Sequence, residues 1–393
     1  MLLLNISSLY LKCGVFLPKN DSLANELQKN KFKYINPENI LDLDSNKLLL
    51  FQINYFQIED FEKSPDIEFL SKLNIIQEVN KEENDSIEKI LLNFKDNTET
   101  ISESRIKDSK IPECYFSGKL NGRNEYLIYK IFKKKCVKFG DITKLTVTGI
   151  DYINHNLENS FFDLTKETIP NLVIVGENKN SSSLNKSNKN KKVLKDKLYP
   201  YLLATGDDDI SVYKVDSINS YKKIGYNTMG PTSLWSLLNL TGNYEDPELA
   251  LSEATRGNNK LIDLSVGDIY GGDYGGASLC SDLIASSFSK VKNVNDINKI
   301  DKKDVSKALL IFYGVTYAQV ASMVSIGENI DKTIVSGDNF GSLELMQMIQ
   351  TCLEGFTGNK IGAVFNDYSN YFEIIGMIVE LEKSGLLTNK VIQ

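Results

Sequence analysis

The 393-residue sequence holds one histidine, His155, and one tryptophan, Trp235. A single imidazole excludes any site built from several histidines, argues against a Ser-His-Asp triad, and reads as structural. The five cysteines, Cys13, Cys114, Cys136, Cys280 and Cys352, form no C-x-x-C pair. Neither a zinc site nor a disulfide frame follows from that scatter, which suits reduced thiols. Positive charge is in deficit: 45 Lys and Arg stand against 52 Asp and Glu, a formal net charge of -7. A nucleic-acid surface would need a basic stripe, so no nucleic-acid partner is expected. No stretch approaches the roughly 20 consecutive apolar residues of a membrane span. The opening Met1-Leu-Leu-Leu-Asn-Ile has no basic region before it and is interrupted by Asn5, Ser7, Ser8 and Lys12, unlike a signal peptide. Neither G-x-x-x-x-G-K-[ST] nor G-x-G-x-x-G occurs, which removes support for two common nucleotide folds. A cytoplasmic protein is expected.

Hydrophobic residues at 41% and charged residues at 25% are ordinary globular values. The length suits two lobes. Residues 2–6 and 9–16 read as two short strands joined by Ser7-Ser8, and 48–58 as a further strand. The charged stretch 59–112 reads as a solvated surface insertion, after which 126–132 and 145–147 return to strand character. Residues 178–197, rich in Asn, Ser and Lys, bury almost nothing and read as a disordered loop separating an N-terminal lobe, 1–177, from a C-terminal lobe, 198–393. Beyond it come strands at 199–204 and 210–215 around Gly206-Asp207-Asp208-Asp209. Helices follow at 234–240 and 246–255, the second opened by Asp246-Pro247 as cap and first residue. In 302–326, Val305, Leu309, Phe312, Val320 and Met323 form an apolar helical stripe expected to pack as core. A strand at 334–336, a helix at 343–353 and a last strand at 363–365 complete the chain.

The most distinctive stretch is Asp268-Ile-Tyr-Gly-Gly-Asp-Tyr274. Two glycines between tyrosines and aspartates make a sharp turn that presents aromatic rings and carboxylates together. A turn with two packed tyrosines is the plain alternative.

That motif, followed by Ala285-Ser-Ser-Phe288 and later by Tyr371-Phe372, resembles the eukaryotic-type pantothenate kinases. The resemblance is nearly ungapped from about residue 199 onward and weaker, though in order, over the first lobe. It implies an α/β, two-lobed actin-like ATPase (ribonuclease H-like) fold and ATP-dependent, Mg²⁺-assisted phosphorylation of pantothenate, the first step toward coenzyme A. It implies a dimer, either a homodimer or a heterodimer with a paralogue, and acyl-CoA as a feedback ligand. By position, Asn5, Ser7, Ser8, Lys12, Gly206, Asp207, Gly337 and Asn339 would meet ATP. Lys223 would meet pantothenate, with Tyr270 and Tyr274 lining a substrate pocket, in the family that of the neighbouring subunit.

This chain departs from the family pattern where phosphate chemistry is done. Asn5-Ile-Ser-Ser-Leu9 stands in place of Asp-Ile-Gly-Gly-Thr, so a carboxylate that would organise Mg²⁺ is an amide. The three aspartates 207–209 replace Gly-Ser-Gly and would repel a triphosphate unless Mg²⁺ bridges them. Pro231, in Gly230-Pro231-Thr232, removes a backbone donor from a third turn. Asn156 falls at the family's general-base glutamate, and Glu158, two residues on, is the candidate substitute. Two readings follow: a working pantothenate kinase subunit, or a catalytically deficient paralogue that completes or regulates a partner's site.

Overall fold

The computed structural model describes residues 2–6, 10–17, 40–42, 47–54, 61, 63–66, 70, 113–118, 122–132, 135–157, 160–164, 189–192, 198–274, 281–293, 300–338 and 343–385. The chain divides into two compact units, one of residues 1–152 with 371–393, the other of 153–370. Ser7, Ser8, Glu158, Asn339, nearly all of the 59–112 insertion and most of 178–197 lie outside the described residues.

In the first unit, β1 (Leu2–Ile6), β2 (Tyr10–Leu17), β3 (Ile40–Asp42), β4 (Lys47–Asn54), β5 (Glu113–Gly118) and β6 (Lys135–Lys138) make one sheet in the order β3-β4-β2-β1-β5-β6. β1 pairs antiparallel with β2 and parallel with β5. Alternation decides its faces. Leu2, Leu4, Ile6, Leu11, Cys13, Val15, Phe51 and Phe116 point one way, onto Ile128, Ile131 and Phe132 of helix α1 (Gly122–Phe132). The expected strand at 126–132 is therefore a helix, as its apolar residues recur at three- and four-residue spacing. The expected strand at 145–147 lies inside α2 (Ile142–Asn156), where Val147, Ile150 and Ile153 share that spacing.

The second unit carries β7 (Phe161–Leu164), β8 (Lys189–Lys192), β9 (Tyr201–Gly206), β10 (Ile210–Ser217), β11 (Ser220–Asn227), β14 (Lys332–Gly337) and β15 (Gly362–Asn366), ordered β11-β10-β9-β14-β15-β7-β8. A separate short pair, β12 (Leu264–Ser265) and β13 (Ile284–Ser286), lies apart from this sheet. Lys189–Lys192 fall in the stretch expected to be disordered, yet pair with β7 along its length. β7 in turn pairs with β15, which draws residues from 153 onward into this unit and moves the division upstream of the expected boundary.

The helices here are α3 (Pro231–Gly242), α4 (Pro247–Arg256), α5 (Val266–Tyr270), α6 (Lys302–Glu328) and α7 (Leu343–Thr357). Asp246 caps α4 as expected, its carboxylate accepting the Leu249 N–H at 2.8 Å. α6 differs from the expected stripe. Leu309 is buried, but Phe312 is 38% and Met323 73% exposed. Its buried face holds Leu310, Ile311, Tyr313 and Tyr317 together with the small residues Ala308, Gly314, Ala318 and Ala321, and a side chain at Gly314 would strike Met348 of α7. α6 is long and apolar enough to cross a membrane by length and composition. Three of its buried hydroxyls find partners inside the protein, Ser306 with Tyr244, Ser325 with Thr333 and Tyr317 with the Ala204 carbonyl, as in a core helix.

The same pattern occurs twice. A three-strand antiparallel meander (β1-β2-β4; β9-β10-β11) takes two parallel strands beside its first strand (β5-β6; β14-β15). A helix joins each parallel pair, α1 in the first unit and α7 in the second. This doubled ribonuclease H-like arrangement is the actin-like ATPase fold that was expected. The last helix, α8 (Phe372–Lys383), belongs to the first unit and packs on β1 and β2, where Gly14 leaves room for Ile374.

Candidate functional site

In open α/β sheets, ligands meet the carboxyl ends of the parallel strands. At those ends in the second unit, β9 and β14 run parallel with Gly206 opposite Gly337, and each strand stops at its glycine. The Asp338 N–H donates to the Gly206 carbonyl at 2.9 Å, tying the two ends together. Gly337 has φ +118, and a side chain there would come within 2.2 Å of the Gly206 oxygen. Only glycine fits that position. Gly206 and Gly337 are thus brought together.

The turn that follows β9 is closed by the Asp207 N–H donating to the Asp209 carbonyl at 3.0 Å. The Asp207 carboxylate accepts from the Thr205 hydroxyl at 3.0 Å, and Asp209 accepts from Ser211. Gly230, just before α3, sits against the Asp208 carbonyl so closely that a side chain would reach within 2.2 Å. Lys223 of β11 pairs with Asp209 at 3.1 Å and stands 5.5 Å from the centre of the Tyr226 ring. This expected substrate ligand is therefore engaged at the acidic turn, in a part-exposed ion pair of small energetic weight.

Two residues here escaped the sequence reading. Asp338 follows Gly337 as Asp207 follows Gly206, and it is only 2% exposed. The repeated Gly-Asp at the ends of two strands was the available signal. Tyr313 of α6 is fully buried, and its hydroxyl has no hydrogen-bond partner among the described residues. Burial holds that phenol well above its ordinary range, and the carboxylates of Asp207 and Asp338 add to the effect.

In the first unit, Asn5, Lys12 and Ser117 are direct neighbours across β1, β2 and β5, on the face opposite the apolar cluster. All three are buried, and the Asn5 amide donates to the Ser117 hydroxyl at 3.1 Å. Tyr371 lies near the Lys12 ammonium, which partly offsets the upward push of burial on its phenol. The stretch 148–151 lies inside α2, and Asn156 is its exposed last residue. Glu373 is buried and accepts from Thr146 at 3.1 Å.

The Asp268–Tyr274 stretch is a one-turn helix ended by Gly271 at φ +77. Ser265 and Asp268 form a capping box: the Ser265 N–H and hydroxyl donate to the Asp268 carboxylate at 2.8 Å each, and the Asp268 N–H donates back at 3.2 Å. Lys290 completes the cage as an ion pair with Asp268 and a donor to the Lys260 carbonyl. Asp273 accepts the Ser281 N–H at 2.7 Å. Phe288, at φ 61, is pinned through its N–H to the buried Asp263 at 2.8 Å. Tyr270 and Tyr274 stack with ring centres 4.3 Å apart and planes 23° apart, yet stay 56% and 41% exposed. The aspartates build the turn, and the rings face outward.

Lys290, and after it Ser265, pull the Asp268 carboxyl down to about 2. Its folded value lies below its ordinary one, so the stabilisation it brings is complete above about pH 4 and lost as pH falls toward 2. Ser265→Ala should cost about 1 kcal/mol at neutral pH. Asp268→Asn should flatten the acid limb of the stability curve between pH 4 and 2. Urea midpoints across that range check both, and an unchanged acid limb in Asp268→Asn would contradict the cage.

A family model described as Fumble matches residues 31–380. The chain belongs to this pantothenate kinase family. Pantothenate kinase 2 of Arabidopsis thaliana is 28% identical over 193 residues, 48% of this chain and 21% of that protein. Pantothenate kinase of Schizosaccharomyces pombe is 28% identical over 193 residues, 47% of each. The match thus spans less than half the length of either relative. Among solved structures, the Clostridium difficile activator of 2-hydroxyisocaproyl-CoA dehydratase with bound ADPNP gives a TM-score of 0.41 at 8% identity, covering 99% of this chain and 97% of that one. Glucokinase of Balamuthia mandrillaris in complex with glucose gives 0.37 at 10%, covering 96% and 92%.

Proposed function

We propose that this Fumble-family chain is a subunit of a cytoplasmic pantothenate kinase dimer. The γ-phosphoryl group of ATP would pass to the primary hydroxyl of pantothenate, breaking the bond to ADP and releasing the hydroxyl proton. The observation that carries this reading is the tied pair of strand ends, Gly206 with Gly337, at the carboxyl ends of two parallel strands, where open α/β sheets bind their ligands. In the first unit, Lys12, the residue at the lysine position of the family resemblance, is buried beside Asn5.

Mg²⁺ fits the donor set in one place. Among the described residues no group of three or more His, Cys, Asp or Glu forms a metal site. Mg²⁺ in kinases, however, needs only one or two carboxylates when substrate phosphates and water complete its shell. Asp207 and Asp338 meet that need beside the orphaned Tyr313 hydroxyl.

A second reading rests on Asn5, whose amide carries no charge, and on the outward-facing Tyr270–Tyr274 stack. In it, this chain completes the pantothenate or acyl-CoA pocket of a paralogous partner, which brings the base and phosphate turns. One assay separates the readings: phosphopantothenate formation from ATP and pantothenate, by the purified chain and by the complex isolated through it. Activity of the chain alone establishes the first reading. Activity confined to a mixed complex, lowered by Tyr270→Ala, establishes the second. No turnover and no pantothenate binding in either preparation sinks both.

A further inference from the structure

We propose that Asp207 and Asp338 hold the divalent cation on which nucleotide binding by this chain depends, with the buried Tyr313 hydroxyl as the group that orients its water shell. This rests on the ATP reading above and adds where the metal is held. Backbone geometry carries it first. Gly206 and Gly337 are register partners on neighbouring parallel strands, and the two aspartates are the next residues of each. The Asp338 N–H bond to the Gly206 carbonyl keeps the second carboxylate beside the first turn. Electrostatics comes next. Asp208 and Asp209 crowd the same turn, and Lys223 balances Asp209 from its outer side. A triphosphate arriving at these strand ends meets carboxylates it would repel, and a divalent cation turns that repulsion into a bridge.

The independent observation is Tyr313. A phenol with no accessible surface should have a hydrogen-bond partner, because leaving the group unsatisfied costs free energy. This one has none among the described residues, although it lies in the field of both aspartates. A water molecule on a cation held by Asp207 and Asp338 satisfies the hydroxyl and completes the metal's shell. Oxygen-only donors favour Mg²⁺, Mn²⁺ or Ca²⁺ over zinc or copper.

The test uses the full purified chain, with ATP titrated calorimetrically in EDTA and in excess Mg²⁺, and Mn²⁺ titrated alone by electron paramagnetic resonance. ATP should bind at least about tenfold more tightly with Mg²⁺, and Asp207→Asn or Asp338→Asn should each erase that gain. ATP affinity in EDTA should hold or improve in both variants, since a repelling charge has gone. Tyr313→Phe should weaken Mn²⁺ binding less than either aspartate change. Asp208→Asn is the charge-matched control and should keep the Mg²⁺ gain, with thermal melts showing that each variant is folded. A Mg²⁺ gain that survives Asp338→Asn in a folded variant overturns the proposal. If ATP binds under no condition, the nucleotide reading fails, and Mn²⁺ alone decides the cation site. Binding lost in Asp338→Asn upholds it; binding absent from the unsubstituted chain, or unchanged in that variant, overturns it.

Discussion

Gly376→Ala should destabilise the first unit by roughly 2–3 kcal/mol, a large share of the stability of an ordinary domain. The added methyl would lie 1.9 Å from the Leu145 carbonyl oxygen of α2, and its mirror contact is as tight, Gly149 facing the Phe372 oxygen at 2.0 Å. Both obstacles are helix backbone, so no side chain can swing aside, and α2 and α8 must separate. Each glycine lies four residues from the carbonyl its partner strikes, so the two contacts are equivalent and the helices cross where neither carries a side chain. The Gly149→Ala, Gly376→Ala pair should therefore cost less than the two single losses combined, because helices parted by one methyl make room for the other. Gly355→Ala in α7, where a side chain meets nothing within 4 Å, should instead stabilise by about 0.5–1 kcal/mol. Urea midpoints at constant m-value measure all four variants. A loss below about 1 kcal/mol for Gly376→Ala would mean that the crossing yields readily.

Much of the fold was legible where periodicity and length agreed. The hairpin strands at the start, the strands around the acidic turn, the capped helix after Asp246 and the last strand all lie within a few residues of their expected places. The two failed strands share one cause. Short apolar runs such as 126–132 fit a buried strand or a helix equally well by composition, and the contacts on Ile128, Ile131 and Phe132 decided between them. On α6, Phe312 and Met323 looked like core because large apolar residues usually are. The helix instead buries Leu310, Ile311, Tyr313 and Tyr317 with Ala308, Gly314, Ala318 and Ala321, and the small residues among them carry little signal in a sequence.

The candidate site was legible in pieces. The Gly206 turn, Gly337 and Lys12 were singled out individually, but pairing of β9 with β14 requires a register that joins residues more than a hundred positions apart. Asp338 was passed over for that reason, and Tyr313 because a helical tyrosine in an apolar stripe reads as packing. Asn156 was weighed as a base position on family spacing alone. It lies at the exposed end of α2.

Gly337→Ala should have the larger consequence for function, because two penalties fall on one residue that holds the strand ends together. The backbone at φ +118 disfavours any L side chain by about 1–2 kcal/mol. The new methyl would also stand 2.2 Å from the Gly206 oxygen and 2.5 Å from its nitrogen, inside the β9–β14 ladder. Gly358→Ala separates the two effects. Gly358 has φ +60 but nothing within 4 Å of an added methyl, so its substitution should cost only the backbone term, about 1 kcal/mol. Gly337→Ala should cost at least about 3 kcal/mol, the excess measuring the collision. Relief requires β14 to slide from β9, which breaks the Asp338 bond to Gly206 and separates the two aspartates. Nucleotide affinity should then fall by at least about tenfold even at temperatures where the variant remains folded, whereas Gly358→Ala should bind as the unsubstituted chain does. Equal losses of stability in the two variants would mean that the ladder absorbs the methyl. Unchanged ATP binding in a folded Gly337→Ala chain would remove these strand ends from the site.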